Sequence, residues 1–470
     1  MLKLFNTMTR KKEIIKPKAG KNIGYYFCGP TVYDFAHIGN FRAYIFSDIL
    51  RRYLEYKKFK VKFVMNITDV DDKTIKNSMK EGLTLKEFTY KYEKEFLKDM
   101  ETLRIKKADV NPRATEHINE MAELIRKLME KGIAYKGVDG SIYYSIKKFK
   151  NYGKLSKLKI KELKSGARVS QDEYTKDQAQ DFALWKKWTS DDGDVFWNVS
   201  FNDEAIKGRP GWHIECSAMS RKHLKNVDIH GGGIDLVFPH HENEIAQAEP
   251  AKKGFVKYWV HCEHLLVDGR KMSKSLGNFH TLRELLEKGY DPLAIRFLLA
   301  SAHYRKQLNF TFDSVEDSKN TVNSLNDFLG KIKFLSKEVK TKENKELIKE
   351  VADSRKKFEK YMDDDLNAPQ ALAAVFEMIK SVNKAIENKK ADKKSLNEAE
   401  KFILDVNKIF DFVSEEEEIT KEEKELVMQR EEFRKQRNFR EADRIRDILK
   451  EKGIILEDTP QGIRWKKVRK

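Results

Sequence analysis

Three groups of residues have types and spacings that could do chemistry. His240 and Glu244 stand four positions apart, so on a helix they share one face and can chelate a single ion, or simply hydrogen-bond to each other. Cys28 and Cys216 offer two thiols, and thiolate with imidazole selects zinc over magnesium or calcium. His37-Ile38-Gly39-Asn40 opens a stretch, Asn40 to Leu50, whose apolar residues recur at helical spacing. A helix start presents free backbone N–H groups and a positive dipole end, which suit a phosphate; a capping role for His37 is the plainer alternative. Lys271-Met272-Ser273-Lys274-Ser275 follows the turn pair Asp268-Gly269 and precedes Gly277-Asn278. Two cations on so small-residued a loop can close over a phosphate or merely face water.

These groups need elements to carry them. The run Ile23 to Phe27 has the length and aromatic content of a buried strand, ended by Gly29-Pro30, which puts Cys28 at a strand's carboxyl end. Val61 to Ile67 reads as a second strand, so strand, helix and strand make a βαβ unit and imply a parallel sheet. Loops from separate strands meet at the carboxyl edge of such a sheet, and Cys28 and Cys216 can meet there despite their distance in sequence. Asp69, Asp71 and Asp72 lack the glycine and glutamate pattern of a calcium loop and read as loop and helix-cap residues. Residues 85 to 130 read as helical. Gly231-Gly232-Gly233, between Ile229 and Ile234, suits close backbone approach to a flat ligand or else a flexible turn. Cys262, within a strand-like run, reads as a small buried residue.

The His-Ile-Gly-Asn and Lys-Met-Ser-Lys-Ser stretches, in this order and on these element types, resemble the two signatures of class I aminoacyl-tRNA synthetases. With the thiols, His240 and Glu244, the chain resembles the cysteinyl-tRNA synthetases, from its first strand into its tail. The resemblance implies ATP-dependent activation of L-cysteine to cysteinyl-adenylate and transfer to the 3′ end of tRNA(Cys), with Mg2+ accompanying ATP. It implies one Zn2+ held by Cys28, Cys216, His240 and Glu244, to which the substrate's sulfur adds. Soft thiolate bonds zinc strongly where serine's hard hydroxyl cannot compete, so no editing domain is needed. By the same carry-over His37, Asn40, Lys271 and Lys274 are catalytic, and Thr31, Thr68 and Trp212 line the cysteine pocket. Gly39, Gly233, Asp235, Val267 and Lys274 would bind ATP. Asn40 departs from the final histidine of the fuller signature and can donate a hydrogen bond but carry no charge. Two other readings compete: a ligase joining cysteine to a sugar amine, and a zinc-containing RNA-binding protein.

At 470 residues the chain suggests three to four domains. Its 93 Lys and Arg against 75 Asp and Glu leave a charge of +18, which favours a polyanionic partner such as tRNA. Three cysteines argue against a disulfide framework and for a reducing compartment. The start lacks a signal peptide's apolar core and no run is long enough to span a bilayer, so a cytoplasmic protein with no membrane partner, expected as a monomer, is the default. The expected fold class is α/β: a Rossmann-like doubly wound parallel sheet with an inserted subdomain, then a helical bundle and a small C-terminal anticodon-binding domain. The divisions are 1–130 with 205–260 for the catalytic sheet, 131–204 for the insertion, 261–312 for the Lys-Met-Ser-Lys-Ser region, 313–405 for the bundle and 406–470 for the last domain. Asp363 to Leu372 reads as a capped helix start with Pro369 in its first turn. In the last domain Arg434, Arg437, Arg440, Arg444 and Trp465 are candidates for contact with unpaired RNA bases, ordinary helix surface being the alternative.

Overall fold

The computed structural model describes residues 1–158, 181–250, 254–273, 276–414, 419–459 and 462–467. They form two compact units, residues 1–316 with 361–368 and residues 317–360 with 369–470. In the first unit the elements that matter for chemistry are, in chain order, β1 (Asn22–Phe27), α1 (Ile38–Tyr56), β2 (Lys60–Met65) and α2 (Asp72–Glu81), followed by β3 (Phe182–Lys187), β4 (Glu204–Pro210), α3 (Trp212–His223), β5 (Val227–Gly233), α4 (His240–Ala248) and β6 (Val256–Cys262). The strands β6, β5, β1 and β2 lie in that order in one fully parallel sheet. Tyr25, Tyr26 and Phe27 of β1 are all buried, as a strand covered on both faces requires. One connection runs from β1 outward to β2 and the other from β5 outward to β6. The order therefore reverses between β1 and β5, and a crevice opens beyond their carboxyl ends, where the Cys28 N–H donates to the Gly231 carbonyl at 3.1 Å.

The chain leaves this sheet after the helix Ile118–Glu130 and returns at α3. In between it builds a five-stranded antiparallel sheet, ordered Ala134–Lys136, Ile142–Tyr144, β3, β4, Trp197–Phe201. This insertion is not an appendage, because Tyr144, Phe182 and Trp185 belong to the same apolar core as Val64, Ile214 and Met219.

Some sequence expectations change. Residues 85–130 form two helices, Leu85–Thr102 and Ile118–Glu130, with an extended stretch between them. There the Asp109 N–H donates to the Phe63 carbonyl (2.9 Å) and the Ile67 N–H to the Pro112 carbonyl (2.9 Å), so the chain follows the edge of β2; Pro112 has no N–H to continue a helix. The triple glycine is no flexible turn but the end of β5, beside Phe27 of β1 and Val260 of β6. A Cβ on Gly231 would lie 2.9 Å from the Phe27 ring. Asp71 caps α2, whereas Asp69 turns inward to the Thr115 N–H and hydroxyl (2.9 and 2.5 Å). Pro369 does sit in the first turn of the helix Ala368–Glu387, but Asp365 is buried in the first unit, accepting from the Phe5 N–H, Tyr304 Oη and Arg305 Nε. The second unit contains the long helices Ala368–Glu387 and Lys393–Phe410, then Lys421–Lys435 and Phe439–Glu451 ahead of a hairpin, Ile454–Thr459 with Gly462–Lys467.

The helix α1, whose first turn holds the His37 motif, is held by polar as well as apolar contacts. Arg42 donates to the carbonyls of Leu299, His303 and Lys306. Asp48 takes Arg52 at 2.9 Å and Arg296, from the helix Pro292–Ser301, at 2.5 Å; the Asp48 and Arg296 side chains are wholly buried. Arg296→Ala should strip a buried carboxylate of a partner and cost about 3 kcal/mol of stability. Urea unfolding of the full chain checks this, and Arg296→Lys should recover part of the loss.

Candidate active site

The crevice at the β1/β5 reversal gathers donors from three elements. Cys28 follows β1, Cys216 sits in the second turn of α3, and α4 places His240 and Glu244 on one face. The ligand atoms of these four buried residues all lie within 4.8 Å of one another. The two sulfurs are 3.8 Å apart, Cys28 Sγ to Glu244 Oε1 is 3.8 Å, and His240 Nε2 to Glu244 Oε1 is 3.1 Å. Two sulfurs each about 2.3 Å from a tetrahedral zinc ion lie roughly 3.8 Å apart, so the donor set has the spacing as well as the chemistry for that ion.

A second set, Cys28, His230, His241 and Glu244, satisfies the same closeness and shares Cys28 and Glu244 with the first. Hydrogen bonds separate their roles. His230 Nε2 takes Glu244 Oε2 at 2.9 Å, leaving Oε1 toward His240 and Cys28. His241 Nε2 faces Cys28 Sγ at 3.2 Å, while its Nδ1 meets His261 Nε2 (2.7 Å), whose Nδ1 meets Thr7 Oγ1 (2.7 Å). His213 Nδ1 lies 3.0 Å from His240 Nδ1. These histidines orient the donors, a role the sequence reading missed; the His240-His241 doublet and the single His230 inside an apolar strand were the available signals.

Burial alone would keep this cluster neutral, and mutual contact overrides it. Burial pushes the Cys216 thiol up, but hydrogen bonds with Cys28 and His240 bring it down to about 6. Burial disfavours the His240 imidazolium, yet Cys216 and Glu244 raise it to about 10. Glu244 is likewise opposed by burial and drawn down to about 2 by His230 and His240. Cys28 is pushed well above the usual thiol range, by burial first and then by Cys216 and Glu244. At neutral pH one thiolate, one imidazolium and one carboxylate therefore stand together with a neutral thiol. On its far side α4 is latched to the insertion: Glu242 accepts from the Gly153 and Ser156 N–H groups (2.9 and 2.8 Å), and Tyr152 Oη donates to Asn243 Oδ1 at 2.5 Å.

Beside the cluster the structure collects the residues expected in an amino-acid pocket. Thr31 and Thr68 pair across the loops that follow β1 and β2, with the Val32 N–H on the Thr68 carbonyl at 3.2 Å. The Trp212 ring centre is 4.3 Å from that of His240. Thr68 Oγ1 donates to Glu215 Oε2 (2.9 Å) and accepts from Asn66 Nδ2 (3.2 Å). Glu215, unforeseen from the sequence, is fully buried, and its Oε1 has no hydrogen-bond partner among the described residues.

The two phosphate-type motifs also meet. His37 Nδ1 caps α1 by accepting from the Asn40 N–H at 3.2 Å, and the His37 N–H donates to Asn40 Oδ1 at 3.1 Å. With Nδ1 an acceptor, the neutral ring carries its proton on Nε2. The Ile38 N–H donates to the His280 carbonyl (3.0 Å), and a Cβ on Gly39 would come within 2.8 Å of Met272 Cε and 3.0 Å of the His37 ring, so glycine leaves room for the second motif against the first. Lys271 is exposed on the short strand Arg270–Lys271; Lys274 lies outside the described residues. Gly233 and the exposed Asp235 lie at the carboxyl end of β5, and buried Val267 ends the strand Leu265–Val267.

Residues 14–320 match the family described as tRNA synthetases class I (C) catalytic domain, and residues 357–413 match the DALR domain. The cysteine–tRNA ligase of Brachyspira hyodysenteriae is 48% identical over 98% of both chains. That of Protochlamydia amoebophila is 45% identical over 99% of this chain and 98% of its own. The chain belongs to the cysteine–tRNA ligase family. Methionyl-tRNA synthetase of Mycobacterium tuberculosis, solved with methionyl-adenylate, superposes with a TM-score of 0.62 at 14% identity, covering 83% of this chain and 90% of that one, a likeness of fold. No described helix of this cysteine–tRNA ligase is long and apolar enough to cross a membrane. In its last segment Arg434 lies in the last turn of one helix, Arg437 adopts a left-handed backbone (φ 57°) in the turn, and Arg440 and exposed Arg444 lie on the next, Arg444 3.3 Å from Glu441. Trp465 packs partly buried against the small core of Val427, Ile445 and Leu456.

In metal-stripped protein the ultraviolet thiolate band should titrate with a midpoint of about 6, the thiol protonated below it and ionised above. Cys216→Ser should abolish that step, and His240→Ala should move it to higher pH.

Proposed function

We propose that Cys28, Cys216, His240 and Glu244 hold one zinc ion, and that this ion makes the enzyme select cysteine. The observation that carries the reading is the meeting of two thiols, an imidazole and a carboxylate at zinc-like separations in a buried crevice beside the paired signature motifs. As a cysteine–tRNA ligase the chain activates L-cysteine with ATP and transfers the cysteinyl group to tRNA(Cys). When bound, zinc would take the substrate's sulfur as thiolate, a bond that serine's hydroxyl cannot match. His230 and His241 keep the donors turned inward through Glu244 and Cys28.

Thr31, Thr68 and Trp212 line the cysteine pocket in this reading and point the carboxylate toward the start of α1. There the carboxylate attacks the α-phosphorus of ATP, whose Mg2+ accompanies it, and pyrophosphate leaves. His37 donates from Nε2 and Asn40 from its amide to phosphate oxygens, and Lys271 and Lys274 neutralise the charge that gathers on the departing group. Gly39 keeps the helix start open, while Gly233, Asp235 and the backbone near Val267 hold the nucleoside, Asp235 accepting from ribose hydroxyls. Residues 1–130 with 205–260 then form the catalytic body around the 131–204 insertion, residues 261–312 carry the phosphate-closing loop, and 313–405 lead as a bundle to an anticodon-reading segment, 406–470. Arg434, Arg437, Arg440 and Arg444 serve that segment, with Trp465 contributing an edge of its packed ring. The working form is a cytoplasmic monomer.

Cys28→Ser should lose the bound metal and cut cysteine-dependent pyrophosphate exchange by about a hundredfold or more, since even outer-shell partners of a metal cost roughly 10- to 100-fold. A variant with full metal content and normal exchange would refute the zinc reading. Lys274→Ala should retain metal and cysteine binding while slowing adenylate formation by about 10² to 10³, measured by single-turnover kinetics.

A further inference from the structure

The wall of the pocket that carries Thr68 and the wall that carries Trp212 belong to different parts of the chain. Thr68 follows β2 and is four residues from Asp72, the first residue of α2; Trp212 begins α3 and is three residues from Arg209 of β4. On the inside the side-chain hydrogen bond from Thr68 Oγ1 to Glu215 Oε2 spans the two walls, and the other Glu215 oxygen has no hydrogen-bond partner among the described residues. On the outside the link is ionic. Arg209 and Lys186, in register on neighbouring antiparallel strands β4 and β3, both reach Asp72, the ammonium of Lys186 at 2.7 Å. Arg209 and Lys186 are only 6% and 5% exposed. Arg209 Nε is also held by buried Asp192 at 2.7 Å, and Asp192 is fixed in turn by the Thr189 N–H at 3.0 Å. Two buried cations thus face two carboxylates, one on the insertion and one on α2, and neither cation can turn to water without leaving a carboxylate behind.

We propose that Asp72, Lys186 and Arg209 form a brace through which the insertion fixes the width of the amino-acid pocket, making them positioning residues that set the size limit of the substrate. The proposal rests on the reading that Thr68 and Trp212 line that pocket. A metal ion recognises sulfur but is indifferent to the length of the chain behind it. A thiol amino acid one methylene longer than cysteine has the same sulfur chemistry, so its exclusion falls to the distance between walls. The brace sits where that distance is decided, and none of its three side chains touches the metal donors.

The test uses full-length, metal-loaded protein and pyrophosphate exchange with cysteine, homocysteine and serine. Asp72 is the safest position to change because its side chain is 44% exposed. Asp72→Ala should raise the KM for cysteine about tenfold, leave kcat and the KM for ATP within about twofold, and erode the preference for cysteine over homocysteine by about tenfold, the scale of one methylene in a pocket. Metal content and rejection of serine should not move. The swapped pair Asp72→Lys with Lys186→Asp restores the link and should bring both values back toward normal; Asp72→Ala with Lys186→Met is balanced in charge but unlinked, and should not. A folded Asp72→Ala variant with ordinary cysteine KM and ordinary homocysteine preference overturns the proposal, as does recovery in the unlinked pair, which would trace the effect to buried charge alone. Thr68→Ala and Trp212→Ala separate the two readings. If they leave the cysteine KM unchanged, the pocket itself is misassigned; if they raise it while Asp72→Ala does not, only the brace fails.

Discussion

Ionising the Cys216 thiol, the Glu244 carboxyl or the His240 imidazole alone in a dry crevice would be expensive, and without a metal ion their charged forms are favoured only because they face one another. Cys216, His240 and Glu244 are all at or below about 1% exposure, so solvent supplies none of the compensation. That mutual dependence dictates the architecture. The end of β1, the second turn of α3 and one face of α4 must converge to within a few ångströms, and the reversal of strand order between β1 and β5 provides the only kind of place in an open sheet where loops from both halves do so. The histidines behind them extend the same logic outward: His230 orients Glu244, and the chain from His241 through His261 to Thr7 ends on the N-terminal segment.

The nucleotide-handling half is built on a different economy, that of backbone and close approach. His37 spends Nδ1 on the first turn of α1, which fixes the ring and its tautomer. Gly39 clears the space into which Met272 comes, and the described contacts of that downstream segment with the helix start include the Ile38 N–H on the His280 carbonyl and the Phe279 ring against His37. Contacts of that strength suit a loop that must release one charged group and admit another. The buried Asp48–Arg296 pair and the carbonyls around Arg42 keep α1 itself from yielding.

Much of this was legible in the sequence because periodicity and residue type report local structure directly. The first strand, α1 with its histidine start and the parallel βαβ unit follow from spacing plus the geometry of open sheets, which also allows Cys28 and Cys216 to meet; that they form one set with His240 and Glu244 came from the family resemblance. Residues 105–113 were misread because charge periodicity continues through a stretch that Pro112 and the edge of β2 claim as extended chain, before the 3-10 turn Ala114–His117. The triple glycine was ambiguous for a related reason: glycine reports that space is short, not what fills it, and here the Phe27 ring does. The roles of Glu215 and Asp365 were invisible because their partners lie far away in sequence, and a buried polar side chain is distinguished from an exposed one only by what surrounds it.

The latch between α4 and the insertion bears on how the molecule comes into being. Glu242 and Asn243 lie one or two residues from His240 and Glu244, yet their partners Tyr152, Gly153 and Ser156 sit in a segment synthesised some ninety residues earlier. The insertion must already offer its loop when α4 leaves the ribosome, or the helix has nothing to seat its outer face against. An interruption of the catalytic sheet, which in sequence looks dispensable, is thereby a template for the last of the clustered side chains to arrive.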